Sequence, residues 1–199
     1  MGAAEIMNSE EFKKCVEFHG HICPGLATGF RAAKVAMDKL KEQRSEDEEI
    51  VAIVETDACS ADAVQVLTGC TFGKGNFIYK DYGKMALTLL SRNSGKGVRV
   101  SARPNGMQPD AEHHTLIQKM IAGKADDAEK KRFQELHLKR TSDLLDAPFE
   151  EIFNIEETTI ELPPKARIEV SEICYSCGEP VMPSKMDMVN GHKVCRGCL

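Results

Sequence analysis

The last 26 residues hold two Cys-x-x-Cys pairs, Cys174–Cys177 and Cys195–Cys198, with 17 residues between them. Each pair forms a tight knuckle that turns two sulfurs toward one point, and four thiolates so gathered close a tetrahedral zinc site. Gly178 and Gly197 supply the compact backbone that such turns need. A segment of about 35 residues buries too little apolar surface to hold itself together, so the metal must supply much of its folding energy. Neither second cysteine is followed by His, which excludes haem attachment. His192 could replace a ligand, but the four-thiolate set is complete without it. Upstream, Pro163-Pro164 stops a helix and resists central strand pairing. The sequence therefore predicts a main domain over residues 1–163 and a small zinc module over 164–199.

The module's charge argues against nucleic acid. Residues 165–199 carry five Lys or Arg and four Asp or Glu, a net of +1; four thiolates and Zn²⁺ add −2, leaving −1. There is no basic stripe, and Tyr175 is the one aromatic residue there. The whole chain is acidic as well, with 26 Lys and Arg against 31 Asp and Glu, which disfavours generic polyanion binding. Val181, Met182, Met186, Met188 and Val189 suit either a protein contact or the module's own core.

Eight Cys in 199 residues need a compartment. No run approaches the roughly 20 apolar residues of a spanning helix. Met1 to Glu11 has neither a basic nor an apolar signal-peptide region, and Ile6 breaks a myristoylation signal. A cytoplasmic chain is expected, with thiols kept for metals, reactions or packing rather than for disulfides.

The main domain reads as α+β, with helices and an antiparallel sheet. Asn8 with Glu11 predicts a helix through Val16. Leu26, Phe30, Ala33, Met37 and Leu40 mark one helix face, with Ala27, Ala32 and Ala36 small enough for close packing. Ile50 to Glu55 predicts a buried strand, and Ser60 the cap of a helix running to about Leu67. Further strands are expected over Phe77–Tyr82, Met85–Ser91 and Val98–Arg103, then helices over Pro109–Ile121 and Asp126–Leu145.

A second cluster lies at Phe18-His19-Gly20-His21-Ile22-Cys23-Pro24-Gly25. His19, His21 and Cys23 occupy alternate positions, which an extended segment points one way. Pro24 favours extended backbone at Cys23, and helical periodicity starts directly after it. That places Cys23 at a helix N-terminus, where the dipole favours a thiolate. Cys59 follows a strand and precedes a helix in the same manner. Two thiolates and an imidazole brought together from these segments would leave one coordination position open, as reactive metal centres require. Cys15 and Cys70 lack such neighbours and read as packing residues.

Other motifs are weaker. Thr68 to Gly75 imitates a phosphate loop but misses its spacing, with Gly75 where a hydroxyl should hold Mg²⁺. His113-His114 are adjacent on a helix and face apart. The metalloprotease HExxH and the zinc-deaminase signature are absent.

Phe18-His19-Gly20-His21-x-Cys23-Pro24-Gly25-Leu26-x-x-Gly29-x-Arg31 resembles the signature of the FmdE family, which takes its name from formylmethanofuran dehydrogenase. Glu55-Thr56-Asp57-Ala58-Cys59-x-x-Asp62-Ala63-x-Gln65, Thr68-Gly69-Cys70-Thr71-x-Gly73-Lys74-Gly75-Asn76 and Asp81-Tyr82-Gly83-Lys84 are similar to its later blocks. Cys174-x-x-Cys177-Gly178-Glu179-Pro180 resembles a DksA/TraR-type zinc finger. The resemblance implies an α+β core, a homodimer, a Cys/His metal site and association with molybdenum- or tungsten-dependent oxidation of one-carbon units. The resulting expectation is a metal-binding accessory protein, partnered by the chains of a dehydrogenase complex. Its core metal, Zn, Fe or Ni, would be held by His21, Cys23 and Cys59, with His19 as fourth ligand or as support. Two alternatives remain. One is an enzyme using that metal as a Lewis acid or Cys23 as nucleophile, with Asp62 and Lys84 as polar partners. The other is a zinc-finger regulatory or interaction protein.

Overall fold

The structure is a computed structural model that describes every residue except Met1, Asn105 and Met107. The chain divides into two compact units, Met1–Lys165 and Ala166–Leu199.

The first unit begins with helices α1 (Ala3–Asn8) and α2 (Glu10–His19). Ser9, not Asn8, caps α2, its Oγ accepting the Phe12 N–H at 3.2 Å. Helix α2 also outruns its predicted end at Val16 and finishes on His19. Helix α3 (Pro24–Leu40) follows after a short turn. Of its predicted apolar face Leu26, Phe30, Ala33 and Leu40 are buried and Met37 is half-buried, and Ala27, Ala32 and Ala36 are buried too. The helix therefore runs through the middle of the unit, packed on helices and on the sheet. Phe12 of α2 meets Phe30 of α3 edge-on, ring centroids 5.2 Å apart.

Strand β1 (Ile50–Val54), helix α4 (Ser60–Thr68) and strand β2 (Phe77–Tyr79) come next. Strands β3 (Ala86–Ser91) and β4 (Gly97–Ala102) then form an antiparallel hairpin. The sheet order is β2-β1-β3-β4-β5. It is antiparallel as expected except at β2, which lies parallel to β1 because α4 carries the chain across between them. Both faces of β1 are covered, which is why IVAIV shows no polar alternation. Ile50, Ala52 and Val54 face the main core, while Val51 and Ile53 pack with Leu90 and the half-buried Ile78 and Leu162.

Helices α5 (Ala111–Ile121), α6 (Asp127–Asp146) and α7 (Phe149–Ile152) precede β5 (Phe153–Thr158), which pairs along β4. Asp110 and Asp126 cap α5 and α6, each accepting an N–H three residues on at 2.8 Å. Strand β5 lies beyond the strands expected from the sequence, although Phe153 and Ile155 alternate toward the core. His113 pairs with His137 of α6 at 3.2 Å, Nε2 to Nδ1, instead of with its neighbour His114. Arg31 lies buried in α3, donates to the carbonyls of Leu145 and Ala147 at the end of α6, and stands 4.1 Å from the Phe149 ring centroid. It thereby satisfies carbonyls that a helix C-terminus leaves unpaired.

The second unit is two short hairpins, β6 (Glu172–Ile173) with β7 (Pro180–Val181) and β8 (Met186–Val189) with β9 (His192–Cys195). Tyr175 stacks on His192, centroids 3.7 Å apart. Among the described residues, no helix is long and apolar enough to cross a membrane.

Candidate metal centres

The donor atoms of His19, His21, Cys23 and Cys59 all lie within 4.8 Å of one another. They do not come from an extended stretch. His19 is the last residue of α2, and Gly20 turns the chain back with a left-handed φ of 94°. That reversal, rather than strand alternation, returns His21 and Cys23 to His19. The two imidazoles lie 4.4 Å apart, centroid to centroid. His21 is exposed, His19 and Cys59 are half-buried and Cys23 is buried, so the group lies at the surface with Cys23 on its inner side.

Cys23 caps α3, its Sγ accepting the Leu26 N–H at 3.3 Å. Burial nevertheless pushes the Cys23 thiol up to about 11, against that bond, and Cys59 adds to the push. The helix end alone therefore does not make a thiolate of it. A coordinated cation would, because a ligating thiol is deprotonated outright. Cys59, not Ser60, occupies the cap position of α4, and its side chain makes no capping bond.

Helices α3 and α4 meet at their first turns. A Cβ built on Gly29 would stand 2.2 Å from the Ser60 carbonyl oxygen and 2.6 Å from its Cα. One on Gly25 would stand 3.0 Å from Cys59 Cβ. These two glycines, one helical turn apart, let Cys59 approach Cys23. Apolar periodicity assigns close packing to the alanines of α3 and misses them; the small-x-x-x-small spacing of Gly25 and Gly29 is the signal that could have found them.

Asp62 lies one turn into α4, on the same side as Cys59. Its Oδ2 stands 2.7 Å from His19 Nδ1, and His19 Nε2 stands 3.7 Å from Cys23 Sγ. A carboxylate placed against Nδ1 leaves Nε2 as the nitrogen turned toward the sulfur, an arrangement found behind many metal-bound imidazoles. Lys84 is exposed; its backbone N–H donates to Glu55 at 2.8 Å and its ammonium stands 5.8 Å from the Tyr82 ring centroid. Among the described residues, no hydrogen bond or ion pair joins its ammonium to the four donors. Cys15 and Cys70 are fully buried, and burial raises both thiols, Cys15 to about 12. Cys70 donates to the Ile50 carbonyl at 3.4 Å. The phosphate-loop imitation is a turn before β2 whose Lys74 ammonium donates to the Glu46 carbonyl at 3.1 Å.

In the second unit, the sulfurs of Cys174, Cys177, Cys195 and Cys198 also lie within 4.8 Å of one another. The Cys177 and Cys195 N–H groups draw the Cys174 thiol down to about 6, while Cys195 and Cys177 push Cys198 up to about 12. One thiolate is thus favoured before the rest, and a divalent cation would complete the set. Both groups could hold a metal ion: the first offers two sulfurs and two nitrogens, the second four sulfurs.

The sequence profile described as "FmdE, Molybdenum formylmethanofuran dehydrogenase operon" matches residues 18–154. The chain belongs to the FmdE family. The match begins at Phe18 and so takes in the whole His/Cys group of the first unit, while the four-cysteine group lies outside it. A similar chain is known by its crystal structure, a tungsten formylmethanofuran dehydrogenase FmdE-like protein from Syntrophus aciditrophicus. It has 25% identity and a TM-score of 0.63, over 98% of this chain and 91% of that one. A curated relative from Archaeoglobus fulgidus, named "Probable S-adenosyl-L-methionine-binding protein", is 38% identical over 179 residues. Those residues are 85% of this chain but 48% of the relative, so the FmdE chain spans about half of that protein's length.

Proposed function

We propose that this FmdE protein binds a transition metal through His19, His21, Cys23 and Cys59, and zinc through Cys174, Cys177, Cys195 and Cys198. On this reading it serves, in the cytoplasm, as a homodimeric accessory to a molybdenum- or tungsten-dependent dehydrogenase of one-carbon units. The observation that carries the reading is the convergence of four soft and borderline donors from α2, α3 and α4 within 4.8 Å. Mixed nitrogen and sulfur ligands suit Zn, Fe or Ni. The family name supports the dehydrogenase link. When bound, the metal supplies a Lewis acid at the surface of the first unit. Around it, Asp62 orients His19, the exposed His21 faces solvent, and buried Cys23 anchors the inner side. Should the site carry out chemistry of its own, Cys23 and Asp62 are its nearest nucleophile and carboxylate, and Lys84 would have to reach it from the turn after β2.

Metal analysis of the purified chain tests this. Two metals per chain are expected. One should be lost on truncation after Pro163, and the other in Cys23→Ser or Cys59→Ser. Full metal content in both core variants would refute the ligand set. Asp62→Ala should lower core-metal affinity roughly 10- to 100-fold without altering the C-terminal site. A chelator competition titration reads this out, and unchanged affinity would deny Asp62 its orienting role.

A second reading rests on the Archaeoglobus relative: the first unit binds S-adenosyl-L-methionine or a similar sulfonium ligand. Calorimetric titration of the metal-loaded protein with that compound decides it, with saturable heat expected and its absence counting against.

A further inference from the structure

Cys23 and Cys59 differ from the other cysteines of the first unit in standing together, sulfurs within 4.8 Å, with a route for solvent to one of them. Cys59 is half-buried, whereas Cys23 is 4% exposed. Their Cβ atoms cannot drift apart freely, because Ser60 is pressed against Gly29 and Cys59 against the Gly25 position. A disulfide needs sulfurs at about 2.05 Å, which rotation of the two short side chains must close from the separation seen here.

We propose that Cys23 and Cys59 form a modification site, closing a disulfide under hydroperoxide once the core metal is withdrawn. The core group then has two exclusive forms, a dithiolate that holds metal and a disulfide that cannot. The metal-holding form rests on the function proposed above; the disulfide does not.

The chemistry balances with one hydrogen peroxide. The Cys59 sulfur attacks one peroxide oxygen, the O–O bond breaks, and a first water leaves with Cys59 as sulfenic acid. The Cys23 sulfur then attacks the Cys59 sulfur and displaces the sulfenic hydroxyl, which departs with the Cys23 proton. The S–S bond forms and a second water leaves. Two thiols have been oxidised by two electrons and one peroxide reduced to two waters. A metal ligated by both sulfurs occupies the electron pairs that this sequence requires and so protects them.

The test uses the full chain, purified anaerobically, stripped with a chelator and treated with one equivalent of hydrogen peroxide. Mapping without reduction should find a link between tryptic peptides 15–31 and 45–74, two hydrogens lighter than their sum. Those peptides also contain Cys15 and Cys70, so fragmentation must place the link on Cys23 and Cys59. In Cys59→Ser the link is lost and Cys23 stays a free thiol. Added zinc before peroxide should bring the yield to background. Cys59 recovered as sulfinic acid with Cys23 free, or a link through Cys15 or Cys70, would overturn the proposal. If zinc binds the core group and the stripped chain gives no link, the disulfide fails and the metal reading stands. If the link forms but the core group never takes up metal, the disulfide stands and the metal reading fails.

Discussion

Replacing Gly29 with alanine is expected to unseat the core donor group although none of its four donors is changed. The added methyl would stand 2.2 Å from the Ser60 carbonyl oxygen and 2.6 Å from Ser60 Cα. Those are backbone atoms, which no rotamer change can move aside. Helix α3 or α4 must shift, and Ser60 adjoins Cys59 in the chain. Inserting atoms into a filled contact costs about 1–3 kcal/mol. For a domain of this size that lowers Tm by roughly 2–10 °C. The effect on metal should be larger, because metal ligands must be held to within about 0.5 Å of their productive positions. Core-metal content should therefore collapse while the four-cysteine site stays filled. Gly25→Ala is the graded case. Its methyl would meet the Cys59 side chain at 3.0 Å, so metal affinity should suffer with a smaller change in Tm. Gly73→Ala, where nothing lies within 4 Å, should leave both unchanged. A Gly29→Ala protein with parental Tm and a full core site would show that the helix contact does not set the donor geometry.

That prediction depends on something local patterning does not express. The donors themselves are legible: His19, His21 and Cys23 stand close in sequence, and Cys59 shares the helix-start context of Cys23. The reason they converge is not. Alternation suggests a strand, yet the actual device is a helix end at His19 and a left-handed Gly20, which local apolar periodicity cannot reveal because α2 continues past its last apolar contact. Helix α3 is readable from its spacing, but the faces it presents to α4 and to the sheet are not, since it is buried on nearly all sides. Strand β5 escapes because Phe153 and Ile155 are its only core-facing anchors before a run of acidic and threonine residues. The parallel placement of β2 is likewise a tertiary result, fixed by α4 crossing between two short strands. Arg31 stands within the family signature, yet the structure gives it a role in holding the end of α6. A residue in a signature block can thus serve the fold that carries the donors.

Removing the metal from the four-cysteine group should unfold residues 166–199 while the first unit keeps its fold. Among the described residues of this unit, Cys174 and Val194 are the only buried apolar ones, and its strands are two to four residues long. Burying one valine yields about 1.5–3 kcal/mol, far too little to order a segment of this length. Structural zinc in comparable peptides contributes about 10–16 kcal/mol at neutral pH, and that binding energy is the folding energy. Chelation should therefore collapse the amide NMR dispersion of residues 166–199, and added zinc should restore it. Cys174→Ser should produce the same loss. The transition should also follow pH with a definite sign. Ligation needs all four sulfurs deprotonated, and Cys174 keeps its charge down to about 6 through the N–H groups of Cys177 and Cys195. Cys198 stands near 12 and releases its proton to solvent only as the metal binds its sulfur. Acidification therefore weakens metal binding, and the module should melt at progressively lower chelator concentration as pH falls. Dispersed signals from these residues at confirmed zero metal would mean that the hairpins hold themselves, and the four thiols would need another explanation.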